Sequence, residues 1–457
     1  MSLIELGEPR VRERRRPTRS GRTYAIRTFG CQMNVHDSEG IAGLLEADGM
    51  RRVAEPENAD LVVLNTCCIR ENADQKLYGT LGMLKKAKDA RPGMLIAVGG
   101  CLAQKDEDII QERAPWVDVV FGTHNLDRVV SLLDYAEEWG PVMEILEEST
   151  EVTVVPVKRD VAHSAWVTIM IGCNNACTFC IVPSVRGGEI SRRPGDIVRE
   201  VEGLSADGVV EVTLLGQNVN SYGRDLELNG HKTLFAELLR QVGAVEGIER
   251  IRYTSPHPKD FREDVAVAMA ETPAVCEQLH LPLQSGSDRI LAAMHRGYNA
   301  ERFLAKVELA RRLIPNLALS SDIIVGFPGE TEEDFRQTLD VVEQARFDSA
   351  FTFIYSPRPG TAAAELVDDF IDRDVVHDRY RRLGELQDSI GLEANRALIG
   401  QTVELLIDGP SKKDLERKSG RTRTNKLVHL KTEQPAGSFA NARLVEATPY
   451  FLLGEPV

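Results

Sequence analysis

From residue 23 the chain repeats one pattern: a short apolar run, a tight loop, then a helical stretch. Runs at 23–29, 61–64 and 94–98 end at Gly30-Cys31, Asn65-Thr66-Cys67 and Gly99-Gly100-Cys101, and a fourth follows at 117–121. Strands that alternate with helices imply a parallel sheet with right-handed crossovers. All strands of such a sheet point one way, so residues just past their carboxyl ends share one edge, where open α/β sheets place their sites. Cys31, Cys67 and Cys101 lie 36 and 34 residues apart, each at the same point of successive units. A core cysteine could fall anywhere along a strand, so three at strand ends point to one rim and one site. The expected fold of this part is an α/β open parallel sheet of flavodoxin-like type.

A second alternation begins near residue 166. Strands are expected at 166–171, 209–215, 251–253, 278–283, 317–325 and 349–355, with amphipathic helical segments between them and a longer helix around 372–397. Six βα units fit a partial (β/α)6 barrel, whose site would lie at the carboxyl ends of its strands. Beyond residue 397 the pattern changes to short alternating strands around a Lys/Arg/Gly/Ser-rich loop, as in a small all-β module. The expected organisation is a disordered basic tail (1–22), an N-terminal domain (23–140), an extended connection (140–160), a core domain (159–396) and the β module (397–457).

At 457 residues the chain is too long for one ordinary core. It shows neither a membrane-length apolar run nor a secretory leader, so a cytoplasmic protein with no membrane partner is expected. The net charge of −15 argues against nucleic acid, but its distribution does not. Residues 10–22 hold seven Arg and one Glu, and residues 411–426 hold seven Lys or Arg and two acids. Phosphate contact depends on the field within a Debye length of about 8 Å, so basic islands on an acidic body can bind RNA. Taken alone, either island could equally be solvated surface. Eight cysteines in such a chain point to metal or catalysis rather than to disulfides. Cys276, in an apolar stretch, reads as a core thiol.

Cys173-Asn-Asn-Ala-Cys177-Thr-Phe-Cys180 follows the first barrel strand. Three thiolates at CxxxCxxC spacing suit a cubane [4Fe–4S] cluster, each on its own iron. With three local cysteines one iron keeps an open position, which suits chemistry better than electron transfer. Structural zinc would want four closed ligands, and no further Cys or His lies near the triplet.

The triplet resembles the signature of the radical S-adenosylmethionine (SAM) superfamily. The whole chain from about residue 23 resembles its methylthiotransferase family, through 28-TFGCQMN-34, 65-NTCCIRENA-73, 99-GGCLAQ-104, 171-IGCNNACTFCIVPSVRGGEISR-192, 213-TLLGQNVNSYG-223, 281-LPLQSGSD-288, 321-SDIIVGFPGET-331 and 355-YSPRPGTAA-363. The resemblance implies two [4Fe–4S] clusters, one on Cys173, Cys177 and Cys180 and one on Cys31, Cys67 and Cys101. It also implies SAM as cofactor and an electron donor such as flavodoxin or ferredoxin. Gln32-Met33-Asn34 resembles the branch acting on N6-isopentenyladenosine in tRNA, beside the anticodon at nucleotide 37. Branches acting on threonylcarbamoyl-adenosine or on a ribosomal protein aspartate read more like GCKVN and GCPKN. A non-enzymatic iron–sulfur sensor that binds RNA is the alternative from another class. Residues 409–430 resemble the TRAM RNA-binding module, with Lys412, Lys413, Arg417, Lys418, Arg421, Arg423 and Lys426 as phosphate contacts. Gln217, Asn218, Gln284, Ser285 and Asp322, at or near barrel strand ends, are the candidate SAM contacts, and the 326–330 turn is either an adenine contact or a tight loop. Cys68 stands where the family usually has a small residue, which leaves two thiols for one ligand position. The oligomeric state stays open, with a monomer expected.

Overall fold

The computed structural model describes residues 19–68, 71–226 and 232–457. Two compact units result, one of residues 1–146 with 153–158 and the other of 147–152 with 159–457. Arg10, Arg12, Arg14, Arg15 and Arg16 of the basic run lie outside the described residues.

The first unit carries a six-stranded parallel sheet of β1 (Thr23–Phe29), β2 (Arg51–Arg52), β3 (Leu61–Thr66), β4 (Leu95–Gly100), β5 (Val119–Phe121) and β6 (Val142–Glu144), in the order β2-β1-β3-β4-β5-β6. That is the flavodoxin-like order with one strand added. Helices α1 (Gln32–Ala47), α2 (Glu71–Ala90), α3 (Cys101–Asp106), α4 (Asp108–Arg113) and α5 (Val129–Trp139) connect the strands. Every residue of β3 and β4 is buried, as expected for strands covered on both faces. Ile41 and Leu45 of α1 and Leu133 of α5 close the core over Val63 and Phe121. Strands β2 and β6 were not expected, since at two and three residues they are too short to show a period. The first therefore extends the sheet beyond β1, and the second turns the start of the expected connection into an edge strand. The tail reading also needs correction at its end. Arg19 is buried, with its guanidinium on Asp48 (2.8 Å), Asp134 (2.9 Å) and Glu137 (2.8 Å), so the fold begins by residue 19. A buried cation is tolerated there because three carboxylates surround it.

In the second unit β7 (Ser164–Thr168), β8 (Met170–Ile171), β9 (Ile190–Ser191), β10 (Glu211–Leu215), β11 (Arg250–Tyr253), β12 (Gln278–His280), β13 (Ala318–Val325) and β14 (Ser349–Ile354) follow in turn. Strands β7, β10 and β11 pair in parallel, as do β12, β13 and β14, and a parallel bridge from Ile251 to Val275 joins the two sets. The six long-range strands thus form one curved parallel wall in sequence order. Helices α6 (Val182–Arg186), α7 (Pro194–Ala206), α8 (Phe235–Gly243), α9 (Glu263–Glu271), α10 (Asp288–Ala293), α11 (Ala300–Leu313), α12 (Glu332–Ala345) and α13 (Arg373–Arg396) alternate with them. Leu279, Leu319, Ile323 and Val325 share one apolar core with Phe303, Phe335 and Leu383 of the helices. Their strand neighbours His280, Ser320 and Asp322 face the other side and remain half-buried. The fourth barrel strand stops at His280, short of the expected residue 283, where Pro282 removes a ladder donor.

The C-terminal module is a closed barrel of β15 (Thr402–Pro410), β16 (Lys418–Arg421), β17 (Leu427–Leu430), β18 (Phe439–Ala447) and β19 (Leu452–Pro456). The expected basic loop is therefore partly strand, with Lys418 and Arg421 at the two ends of β16. The module meets the core at the amino ends of the core strands. Arg250 donates to Arg421 O (2.7 Å) and Arg252 to Thr422 O (2.9 Å), while Arg423 pairs with Glu277 (2.9 Å) and Lys426 with Asp348 (2.7 Å). Among the described residues no helix is long and apolar enough to cross a membrane.

Candidate functional site

Parallel pairing fixes where the first three cysteines fall. Phe29 is in register with Thr66, and Thr66 with Gly100, so Cys31, Cys67 and Cys101 all lie within two residues of one carboxyl edge. Neighbouring strands are about 4.8 Å apart, which sets the scale of the rim. The Cys67 amide donates to Phe29 O at 2.7 Å, and a Cβ at Gly30 would come within 2.7 Å of Cys67 Cβ. The loop carrying Cys31 can thus lie against Cys67 only with glycine at position 30.

Beneath this rim runs a buried amide network that the sequence reading missed. Asn34 Oδ1 accepts from the Cys31 amide and thiol (both 3.4 Å), and its Nδ2 donates to Asn65 Oδ1 (3.3 Å). Asn65 Nδ2 in turn donates to Asn34 O (2.8 Å) and Ser38 Oγ (2.9 Å). An Asn three residues after a helix-capping position is a legible signal, whereas Asn65 inside an apolar strand has none. Cys68 is fully buried and hydrogen-bonds the Cys101 side chain. That bond, reinforced by burial, pushes the Cys68 thiol well above its ordinary range. Cys68 borders both Cys101 and Cys67, so the doubled thiol persists in three dimensions.

The second triad sits in the loop after β8. Gly172 there has φ 76°, and a Cβ would collide with Gly188 O, so only glycine brings the loop this close to its return strand. The Cys173 amide donates to Gly187 O (3.1 Å), Asn175 N to Cys173 Sγ (3.5 Å), and Cys180 N to Cys177 O (3.1 Å). Thr178 latches the loop to the end of α10, its amide donating to Met294 O (3.2 Å) and its hydroxyl to Ala293 O (2.9 Å). Burial raises the Cys173 thiol and pushes Cys180 up to about 12. Bare Cys173 and Cys180 are therefore held in the thiol form by burial, and a metal must displace those protons to bind. A third contact, from Arg296 Nη1 to Cys177 Sγ at 3.3 Å, comes from 119 residues away and was invisible in the sequence.

Around the loop several buried polar atoms lack a partner in the protein: Asn175 Nδ2, Gln217 Nε2, Asn218 Oδ1 and His257 Nε2. Gln217 Oε1 accepts from the Gly172 amide, and Asn218 Nδ2 donates to Asp260 Oδ2 (2.9 Å). Asn175 accepts from Lys259, next to His257. Buried groups left open are rare in a finished core, and these fit a small ligand rich in donors and acceptors. Three thiols in one loop without a carboxylate among them fit an iron–sulfur cluster, and the open amides fit the polar groups of SAM. Among the described residues no three His, Cys, Asp or Glu side chains gather to grip a single metal ion. A cubane asks for no such gathering, since each thiolate takes a different iron.

The other candidates divide. Gln284 adopts φ 68° and bridges to β13, its amide donating to Asp322 O (2.8 Å) and its carbonyl accepting from Ile324 (2.9 Å). A left-handed backbone in a residue other than glycine is uncommon and is held here by these two bonds to β13. Asp322 is half-buried and 3.3 Å from His280 Nε2 on the open face of the wall. Ser285, by contrast, is fully buried against α12, 3.4 Å from Thr338 Oγ1. The 326–330 turn is tied to the helix layer, where Glu330 accepts from Gly326 N (3.0 Å) and pairs with buried Arg379 (2.9 Å). Of the basic residues, Lys412 and Lys413 are exposed. Arg417 holds Asp414, Lys418 donates to Gln434 O, and Arg421 donates to Asn425 O, while Arg423 and Lys426 are the clamps to the core described above.

A three-thiol loop at the carboxyl end of a six-stranded partial β/α barrel defines a radical SAM enzyme. Residues 167–342 match the radical SAM superfamily, residues 23–122 the family described as uncharacterized protein family UPF0004, and residues 396–457 the TRAM domain. A tRNA-2-methylthio-N(6)-dimethylallyladenosine synthase of Corynebacterium jeikeium is 55% identical, covering 95% of this chain and 87% of its own length. One from Parafrankia sp. is 58% identical over 91% of this chain and 84% of its own. The chain belongs to this family of methylthiotransferases. In fold it is also similar to the radical SAM methyltransferase TsrM of Kitasatospora setae, at 14% identity and TM-score 0.53 over 75% of each chain. Membership of the superfamily brings a [4Fe–4S] cluster and SAM.

Two predictions arise here. Burial pushes His257 down to about 2, with Lys259 N donating to its Nδ1 at 3.2 Å, so the folded ring stays neutral. The unfolded chain takes up a proton below about pH 6.5 that the folded chain refuses, so stability is full above that pH and lost as pH falls. Between pH 7 and 5 the loss is about 2 kcal/mol, and thermal unfolding of His257→Gln should show a correspondingly smaller shift over that range. Separately, Lys412→Ala with Lys413→Ala should lower the slope of log binding constant against log salt for tRNA by about 0.7–0.9 per lost contact. Arg423→Ala should leave that slope unchanged and lower the unfolding midpoint instead.

Proposed function

We infer that this chain adds a methylthio group to C2 of N6-isopentenyladenosine at nucleotide 37 of tRNA, next to the anticodon. The observation that carries this reading is the pair of cysteine triads, each at the carboxyl edge of parallel strands, in a chain 55% identical to synthases bearing that product's name. On this reading Cys173, Cys177 and Cys180 hold the cluster that binds SAM, and Cys31, Cys67 and Cys101 hold a second [4Fe–4S] cluster. When bound, the first cluster with SAM supplies a carbon radical able to take hydrogen from an unactivated C–H bond, chemistry that belongs to the cofactor.

The side chains supply binding and orientation. Gln217 and Asn218, with amide atoms open beside Gly172, receive the polar groups of SAM, and Gln284 and Asp322 border the same strand ends. Ser285 has no part in this arrangement because its hydroxyl is engaged with α12. The β wall keeps one face for the substrate and one for the apolar core, so the reacting atoms are held in place and shielded from water. Lys412 and Lys413 contact tRNA phosphates, the part of recognition that positions the RNA without reading its sequence. An electron donor such as flavodoxin or ferredoxin would serve the cluster, and the cytoplasm, where tRNA resides, would be the setting.

The triads have separable roles. In anaerobically reconstituted protein, Cys→Ala at Cys173, Cys177 or Cys180 should abolish conversion of SAM to 5′-deoxyadenosine. The same change at Cys31, Cys67 or Cys101 should spare that conversion and stop methylthio transfer, read by mass spectrometry of tRNA nucleosides. Full transfer by the second set of variants would refute the role given to the N-terminal triad.

A further inference from the structure

Arg296 lies in a tight turn after α10, flanked by His295 at φ 54° and Gly297 at φ 71°. Left-handed backbone at a histidine is costly, so the turn is held by its surroundings. Its side chain is only 6% exposed, and among the described residues no carboxylate lies within ion-pair distance of it. Two other buried arginines meet carboxylates: Arg19 has three and Arg379 has Glu330. Arg296 instead donates from Nη1 to Cys177 Sγ (3.3 Å) and from Nε to Tyr298 Oη (3.1 Å). Tyr298 is itself pinned, its hydroxyl 2.9 Å from both Pro282 O and Leu283 O at the end of β12. Thr178, the residue after Cys177, bonds the same α10 end. The guanidinium is therefore fixed on both sides and aimed at a single thiol.

A guanidinium stays charged in a protein, and burying it without an anion costs several kcal/mol. The Arg296 guanidinium points at the Cys177 sulfur, which carries negative charge once it is a cluster ligand. Hydrogen bonds to ligand sulfur and positive charge close by both favour the reduced, more negative state of a cluster. We propose that Arg296 is a positioning residue that raises the reduction potential of the cluster held by Cys173, Cys177 and Cys180. This rests on the reading of that loop as the cluster site, and it adds a residue that tunes the cluster without touching iron or SAM.

The test is a redox titration, followed by electron paramagnetic resonance, of anaerobically reconstituted full-length chain without SAM. The parent, Arg296→Met and Arg296→Gln are compared, each with iron and sulfide analysis. Removing the charge should lower the ratio of reduced to oxidised cluster at fixed potential at least tenfold, about 59 mV for one electron. Tyr298→Phe, which frees Nε but keeps the charge, should give a smaller change in the same direction. Either loaded Arg296 variant titrating with the parent would overturn the proposal. So would variants that fold but bind no cluster, because Arg296 is given no part in holding iron. A parent chain that binds no iron at this loop would instead bring down the cluster-site reading itself.

Discussion

Strand polarity is the constraint from which the rest of this structure follows. A parallel strand has one carboxyl end, and all such ends in a sheet lie on one edge, so residues distant in sequence meet there without any contact having to be specified. Cys31, Cys67 and Cys101 meet because β1, β3 and β4 are neighbours in register. The loop of Cys173, Cys177 and Cys180 follows β8, at the carboxyl end of the second sheet, along with Gln217 after β10 and Gln284 after β12. The amino ends of those same core strands carry Arg250, Glu277 and Asp348, and these hold the C-terminal barrel. One end of the core carries the cysteine loop and the open amides, and the other attaches the TRAM domain.

Satisfaction of buried polar groups separates architecture from site. Arg19, Arg250 and Arg379 are buried with their terminal guanidinium nitrogens on carboxylates or carbonyls, and they fasten elements together. Gln217, Asn218 and Asn175 are half-engaged, each with one amide atom paired and the other buried and open. That asymmetry fits side chains whose remaining partner is a ligand. The thiols follow the same logic, since burial holds Cys173 and Cys180 in their protonated forms until a metal supplies the compensating charge.

The fold and the cysteines were legible because both rest on local signals: apolar runs of strand length, glycine at tight loops, and a three-thiol spacing of eight residues. Strands β2 and β6 were not, because two or three residues carry no period and their pairing is decided by the neighbouring edge. Positive charge in the sequence does not show which basic side chains are free. Seven basic residues fall between 411 and 426, yet Arg423 and Lys426 spend their charge on Glu277 and Asp348, acids more than seventy residues away. The orientation of Ser285 was not legible for a similar reason: a strand end offers two faces, and only the structure shows that its hydroxyl meets Thr338 of α12. Arg296 carried no sequence signal because its partner is a cysteine in another βα unit.

Iron and acid-labile sulfide counts on full-length protein purified without oxygen bear most directly on the account. Two triads that each hold a cubane predict roughly eight iron and eight sulfide per chain, falling to about four of each when Cys31, Cys67 and Cys101 are all replaced by alanine and equally to about four when Cys173, Cys177 and Cys180 are replaced instead. A parent chain with a single cubane's complement, or one whose count is unmoved by the first set of replacements, would contradict it.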